Sequence, residues 1–289
     1  MSKANVSSGP TFSGMNFRIV SPLGTGAGST VFQISDKTAG GKRYALKVVK
    51  RADAEDDIYV EQAKVEFEAA KKLNHPAISK VYDLRFKRSW FRLSGVELLM
   101  EYVDGKTLDE LEGPELGQLV LVFNQVASAL SHMHRRGVFH GDLKPSNIML
   151  SKNGQVKLID FGTAWIRGQD KSRIQGTPQY MAPEQAIEKT VDERTDIYNF
   201  GATMYRMFTG RFLQSVPPKV GEGDRKVPPA IKINPRIPTH LNEIIMKCIE
   251  IDPANRPAGM FEIKNQLAIV AKEMGLEEVD LKGADDHEF

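Results

Sequence analysis

Cysteine is nearly missing from this sequence. Cys248 is the only one, so no intrachain disulfide can form. Its place beside Leu241 and Ile245 predicts a small buried side chain in a helix, not a nucleophile or a metal ligand. An excess of charge of either sign is missing too. Lys and Arg number 39 and Asp and Glu 37, for a formal net charge of +2. So small a balance gives no support for nucleic-acid binding or for membrane contact from this chain. No apolar run approaches the roughly 18 residues of a spanning helix. Residues Met1 to Pro10 are polar and lack the apolar core of a secretory signal. The expectation is a soluble, cytoplasmic chain. No internal repeat is visible. What remains is ordinary globular composition, 41% apolar and 26% charged over 289 residues. That sets aside disorder, collagen and coiled coil, and leaves one large domain or two lobes sharing a cleft.

Residues 1–16 are rich in Ser, Gly and Asn and read as a flexible leader. Short apolar runs at Phe17–Val20, Val31–Ile34, Tyr44–Val49, Val81–Leu84 and Val96–Tyr102 predict strands. Ala63, Phe67 and Ala70 recur at helical spacing, predicting one helix over 58–73 that stops before Pro76. After Gly105 the pattern becomes helical. Leu119, Val122, Val126, Leu130 and Met133 mark a long amphipathic helix ending near Gly137. Ile197, Phe200, Met204 and Phe208 mark another, closed by Gly210, and two more follow around Leu241–Cys248 and 261–273. The proline-rich stretch 216–238 reads as a surface loop with at most a short helical turn. The end, 273–289, is an acidic tail with seven acids and one lysine. The expected fold is α+β: a small sheet-rich lobe over 17–103 and a larger, mainly helical lobe over 104–272.

Four clusters carry chemistry only when taken together. Gly24, Gly26 and Gly28 form a turn in which bare backbone N–H groups approach a polyphosphate. Alone this is any glycine-rich hairpin, and the strand that follows, in place of a helix, excludes a dinucleotide fingerprint. Lys47 alternates with Ala45 and Val49 on one strand face. A half-buried ammonium needs an anion, and Glu66 on the next helix is the candidate. In His140-Gly141-Asp142-Leu143-Lys144-Pro145-Ser146-Asn147, an acid precedes a lysine by two residues and an asparagine by five. Asp142 can accept a hydroxyl proton, Lys144 can neutralise a moving phosphoryl group, and the Asn147 oxygen can bind a divalent cation. The bland alternative is a polar turn. Asp160-Phe161-Gly162 follows a strand, and a carboxylate there is a natural Mg²⁺ ligand.

In that order and spacing these clusters resemble the eukaryotic-type Ser/Thr protein kinases over roughly residues 17 to 270. The resemblance implies a two-lobed protein kinase fold, with a small antiparallel β-sheet lobe carrying one major helix and a larger helical lobe. It implies ATP as phosphoryl donor with Mg²⁺, or Mn²⁺ in its place. Leu23, Gly24, Thr25, Gly26, Ala27, Gly28 and Ser29 would form the nucleotide loop, with Ser29 where the family has its third glycine. Lys47 would grip the phosphates with Glu66 beside it, Glu68 being the less favoured substitute. Met100, Glu101 and Val103 would form gatekeeper and hinge, and Val31, Ala45 and Met149 would sandwich the adenine ring. Asp142 and Lys144 would be catalytic, and Asn147 and Asp160 would hold metal. Thr163, Ser172, Thr177 and Glu184 would belong to the activation segment, with Thr177 bracing the acceptor site. Asp196 would anchor the catalytic loop and Arg256 would pair with Glu184. Asp196-Ile-Tyr and Ala182-Pro-Glu-Gln185 are similar to bacterial members of the family.

One departure matters. Gly141 stands where most of the family has an arginine that pairs with an activation-segment phosphate. A phosphate on Thr163 or Ser172 would lack that partner, leaving only Lys171 and Arg173. Activity independent of that phosphorylation is therefore expected, with autophosphorylation of the chain. Two other functions fit less of the sequence. A pseudokinase that binds ATP and partners without transfer would normally lack Lys47, Asp142 or Asp160. A small-molecule phosphotransferase of aminoglycoside or choline type shares His-Gly-Asp but not Lys144, Ala-Pro-Glu or Arg256. The protein substrate and the oligomeric state are not legible.

Overall fold

The computed structural model describes residues 10–26, 28–169, 175–187, 191–213 and 227–276. They form two compact units. The first runs to Lys71 and resumes over Ser79–Val103; the second comprises Lys72–Ile78 and the described residues from Asp104.

The first unit is an antiparallel sheet with one helix. Its strands are β1 (Phe17–Gly26), β2 (Ser29–Asp36), β3 (Lys42–Lys50), β4 (Val81–Ser89) and β5 (Arg92–Glu101), in the order β1-β2-β3-β5-β4. The helix α1 (Asp57–Ala70) lies between β3 and β4 in sequence. Strand period decides which side chains meet it. Ala45 and Val49 of β3 join Val96, Leu98 and Met100 of β5 in one buried cluster with Val60 and Ala63 of α1. Tyr44 and Leu46 point the other way, into a cluster with Ile34, Leu99 and Phe12. Lys47 falls on the helix-facing side by that alternation. The leader expected over 1–16 is too long: Phe12 is buried, and its N–H donates to Asp83 Oδ2 at 2.8 Å. Phe12 and Met15 both pack on that second cluster and hold the segment on the sheet.

The second unit is mainly helical. Short strands β6 (Gly105–Thr107), β8 (Ile148–Ser151) and β9 (Val156–Leu158) form one small sheet, and β7 (Val138–Phe139) pairs with β10 (Trp165–Ile166). The long helix α2 (Leu116–Arg135) buries Leu119, Val122, Phe123, Val126, Leu130 and Met133. It is followed by α3 (Pro183–Ile187), α4 (Glu193–Thr209), α5 (Ala230–Ile233), α6 (Thr239–Cys248) and α7 (Met260–Glu273). Phe200 of α4 sets its ring edge-on to Phe123 of α2, with centroids 5.5 Å apart. Helix α4 starts at Asp192, whose carboxylate accepts the N–H groups of Arg194 and Thr195, and stops at Gly210 in the left-handed conformation. Cys248 is fully buried on α6, so close to Gly201 of α4 that a side chain there would collide with it. Burial pushes its thiol well above the usual range. Part of the proline-rich stretch, 214–226, lies outside the described residues; α5 is the short helical turn within the remainder.

Segment Lys72–Ile78 goes with the helical unit for a polar reason. Asn74 N–H donates to His132 Nε2 at 3.1 Å, and Leu158 N–H donates to the Ala77 carbonyl at 2.8 Å. His75 donates to or accepts from Ser128 Oγ at 3.2 Å and accepts the Ala77 N–H at Nδ1.

Candidate active site

Within the first unit, Lys47 and Glu66 meet. The ammonium donates to Glu66 Oε2 at 2.7 Å, with side-chain exposures of 14% and 0%. Burying both charges is costly unless they pair, so each fixes the other. Glu68, the alternative, sits on the solvent side and pairs with Lys71. The glycine turn joins β1 to β2 as a hairpin, with Gly26 opposite Ser29. Gly28 has φ +70°, and the ring of Tyr59 from α1 lies against its Cα, so any side chain at 28 would occupy the ring's space. That contact accounts for a glycine at 28, and Tyr59 had no signal in the sequence beyond being an aromatic on α1. Leu23, Gly24, Thr25 and Gly26 are exposed on β1, and Ser29 and Val31 are half-buried on β2. Val31 packs on the cluster that holds Ala45 and Met100. Glu101 ends β5 with its N–H given to the Lys80 carbonyl at 2.8 Å; Val103 follows, half-buried. Ala27 and Ser172 lie outside the described residues, as do Lys171 and Arg173.

In the second unit the catalytic-loop residues converge. Asp142 Oδ1 accepts the Thr177 N–H at 2.7 Å. Lys144 Nζ lies 3.0 Å from Asp142 Oδ2 and donates to Thr177 Oγ1 at 2.8 Å. Asn147 Nδ2 donates to the Asp142 carbonyl at 2.8 Å, which leaves the amide oxygen as its remaining donor atom toward a cation. Asp142 and Asn147 are buried. Asp160 is exposed, with φ +62°, a conformation that costs a non-glycine residue about 1–2 kcal/mol. Met149 sits half-buried on β8, opposite Thr107 of β6. Two oxygen donors completed by phosphate oxygens and water suit Mg²⁺ or Mn²⁺.

Asp196 holds the loop from below. Fully buried at the start of α4, it accepts the N–H groups of His140 and Gly141, both at 2.8 Å, and a hydrogen bond with His134 Nε2 at 2.8 Å. Burial works to raise its pKa, but the bonds from His134 and Gly141 outweigh it and hold the carboxyl below its ordinary value. His140 is buried against Phe161, ring centroids 5.6 Å apart, as a packing residue. Gly141 has φ +72°, and a Cβ there would come within 3.2 Å of the Thr163 carbonyl. Thr163 Oγ1 donates to the His140 carbonyl at 3.3 Å. Gln185, whose side chain carried no functional reading in the sequence, donates from Nε2 to the Gly141 carbonyl at 2.6 Å and to the Gln175 carbonyl at 2.8 Å.

Glu184 and Arg256 form a two-pronged ion pair, 2.6 and 2.9 Å, with the guanidinium fully buried. Arg256 also donates to the carbonyls of Arg194, Glu250 and Ile251. All five donors of a guanidinium fork are suited to such a position; a lysine is not.

An antiparallel sheet with a buried Lys–Glu pair, and a helical unit with an Asp-Lys-Asn loop hung on a buried aspartate, define a fold of the protein kinase type. The chain belongs to the protein kinase family: residues 17–267 match the model described as the protein kinase domain. A probable serine/threonine-protein kinase of Clostridium acetobutylicum is 33% identical over 272 residues, covering 88% of this chain and 40% of that protein. A probable serine/threonine-protein kinase of Streptomyces coelicolor is 34% identical, covering 84% and 38%. The serine/threonine-protein kinase pkn3 of Myxococcus xanthus is 32% identical, covering 89% and 50%. The chain thus spans half or less of the length of each of these curated relatives. Among the described residues no helix is long and apolar enough to cross a membrane.

Proposed function

We propose that the chain transfers the γ-phosphoryl group of ATP to Ser or Thr hydroxyls of protein substrates, including its own. The observation that carries this reading is the Asp142 carboxylate, fixed at one oxygen by the Thr177 N–H and at the other by Lys144. A carboxylate held so tightly is oriented to receive a proton. As the acceptor oxygen bonds to phosphorus, the bond from phosphorus to the leaving ADP oxygen breaks, and the hydroxyl proton passes to Asp142. Lys144 neutralises charge on the transferring group. Lys47, oriented by Glu66, holds the α and β phosphates. Glu101 has its N–H committed to Lys80, so an adenine contact from this residue falls to its carbonyl. When bound, Mg²⁺ neutralises phosphate charge; Asn147 and Asp160 are the residues that would hold it. The transition state is loose, so positioning and electrostatics supply the rate.

Activity without activation-segment phosphorylation fits the same geometry. Gly141 offers no guanidinium, and its own N–H and carbonyl are taken by Asp196 and Gln185. The loop is held from within by two buried side chains, the Asp196 carboxylate and the Gln185 amide. Thr163 fits a loop brace better than a phosphate site, since its hydroxyl is committed to His140. The proposed setting is cytoplasmic.

The test is intact-protein mass measurement after incubation with Mg²⁺ and ATP, with a generic protein acceptor present. A phosphate-sized gain that is absent in Asp142→Asn and in Lys47→Met is expected. ATP binding with no gain on chain or acceptor would move the reading to a pseudokinase or a small-molecule acceptor. Phosphatase treatment that abolished turnover would overturn the independence from phosphorylation.

A further inference from the structure

The hairpin that joins β4 to β5 carries features that phosphoryl transfer does not use. Its tip is Trp90-Phe91, flanked by the register pair Ser89 and Arg92. Both aromatic side chains are almost wholly in solvent, 94% and 93% exposed. Phe86, lower on the same edge strand, is 46% exposed. From Arg85 to Glu97 the segment holds four cations, Arg85, Lys87, Arg88 and Arg92, against one carboxylate, Glu97. That local excess of three exceeds the +2 of the whole chain. Glu97 is shared by Arg85 and Lys87. Arg88 and Arg92, nearest the tip, are exposed and form no ion pair among the described residues.

Backbone conformation sharpens the point. Trp90 has φ +55°. A tight hairpin asks for positive φ at this position, and glycine or asparagine supplies it cheaply. Tryptophan there costs about 1–2 kcal/mol and gains no packing in return. The hairpin therefore carries a strained, bulky aromatic residue in water, beside two exposed arginines.

We propose that this tip inserts into the interface of an anionic lipid bilayer, with Trp90 and Phe91 at headgroup depth and Arg88 and Arg92 on the lipid phosphates. Trp and Phe favour that interface, and clustered Arg favours anionic headgroups. The shape decides against a protein partner. Two side chains on a convex point offer roughly 300–500 Å², short of the roughly 800 Å² per partner of a stable protein interface. A bilayer requires no matching pocket. The whole-chain charge balance hides this, because the compensating acids lie elsewhere.

The experiment is co-sedimentation of the full chain with vesicles of equal parts phosphatidylglycerol and phosphatidylcholine, against phosphatidylcholine alone. Binding to the anionic vesicles only is expected, with a blue shift of tryptophan emission and weakening as salt rises. Trp90→Ala with Phe91→Ala should abolish binding and shift. Arg88→Gln with Arg92→Gln should weaken binding roughly tenfold or more. Phosphoryl transfer to a soluble acceptor should stay unchanged in all variants, which also checks that they fold. Trp90→Gly is the second arm: it relieves the backbone strain, so it should raise the melting temperature while losing the vesicles. The proposal is overturned by absent binding in active protein, by equal binding to neutral vesicles, or by binding that survives loss of both aromatics. A dimer in solution that the aromatic variants dissociate would instead make the tip a contact between copies, and would also overturn it.

Discussion

The side-chain amide of Gln185 donates to the carbonyl of Gly141 at 2.6 Å, tying the start of α3 to the residue before Asp142. The same amide reaches the Gln175 carbonyl, so one buried side chain joins the catalytic loop to the chain entering Thr177. Gln185→Leu keeps the volume and removes both bonds, with the two longer ones that Oε1 accepts from the Ala182 N–H and the Asn199 amide, each 3.4 Å. An unsatisfied buried carbonyl costs about 1–3 kcal/mol. Denaturant unfolding should show a loss of that size. Steady-state kinetics should show kcat falling while the KM for ATP holds, because the disturbance reaches Asp142 and not Lys47.

Gly141→Arg restores the residue common in the family, and the structure argues against a gain. The left-handed φ of +72° costs a non-glycine residue about 1–2 kcal/mol, and the Cβ must fit beside the Thr163 carbonyl. A lower melting temperature and lower turnover are expected. Turnover that rises and becomes phosphatase-sensitive would contradict this.

Arg256→Met should be among the most destabilising single changes, and Arg256→Lys only slightly better. Removing one partner of a buried pair costs about 3–5 kcal/mol, since Glu184 is left charged with only the Thr195 hydroxyl, at 3.2 Å, to hold it. Lysine keeps the charge but cannot make the paired prongs or reach three carbonyls at once. Chemical denaturation of the two variants checks both the size and the order.

Acid should weaken the helical unit before its carboxylates titrate. Burial first, and then the charges of Lys264 and Arg135, push His75 from 6.5 to about 4. Burial first, and then Arg136, push His132 from 6.5 to about 4. In the unfolded chain both rings take up protons near their ordinary pKa, so between these values the unfolded state binds more protons than the folded one. Stability therefore rises with pH across that window, and is lost as pH falls from about 6.5 to about 4. His132 accepts the Asn74 N–H at Nε2, and a proton there would break the bond. Melting temperatures across this range should slope downward with acid, and His75→Asn with His132→Asn should flatten the slope.

Much of this was legible because it repeats locally. The alternation in β3 that puts Lys47 beside Ala45 and Val49, and the three-and-four spacing of α2, are properties of neighbouring residues. The pairing of Lys47 with Glu66 followed from the cost of leaving a buried ammonium alone. What the sequence hid rests on contacts between distant segments. Tyr59 against Gly28, Gln185 on Gly141 and Phe12 on the sheet have no periodic signal. Strands of two or three residues such as β6, β7 and β10 carry too few side chains to show a pattern. The strained tip at Trp90 was hidden for another reason: exposure is the absence of a partner, and composition counts only the residues.

The sealed thiol of Cys248 gives the molecule a built-in clock. It is fully buried against Gly201, and nothing else in the chain competes for a thiol reagent. Labelling in native buffer requires an opening that uncovers the thiol, so its rate, set against that of the unfolded chain, reports how much of the time the site is open. The free energy of a local excursion in the helical unit can thus be read from the unmodified protein, with no engineered probe and no denaturant.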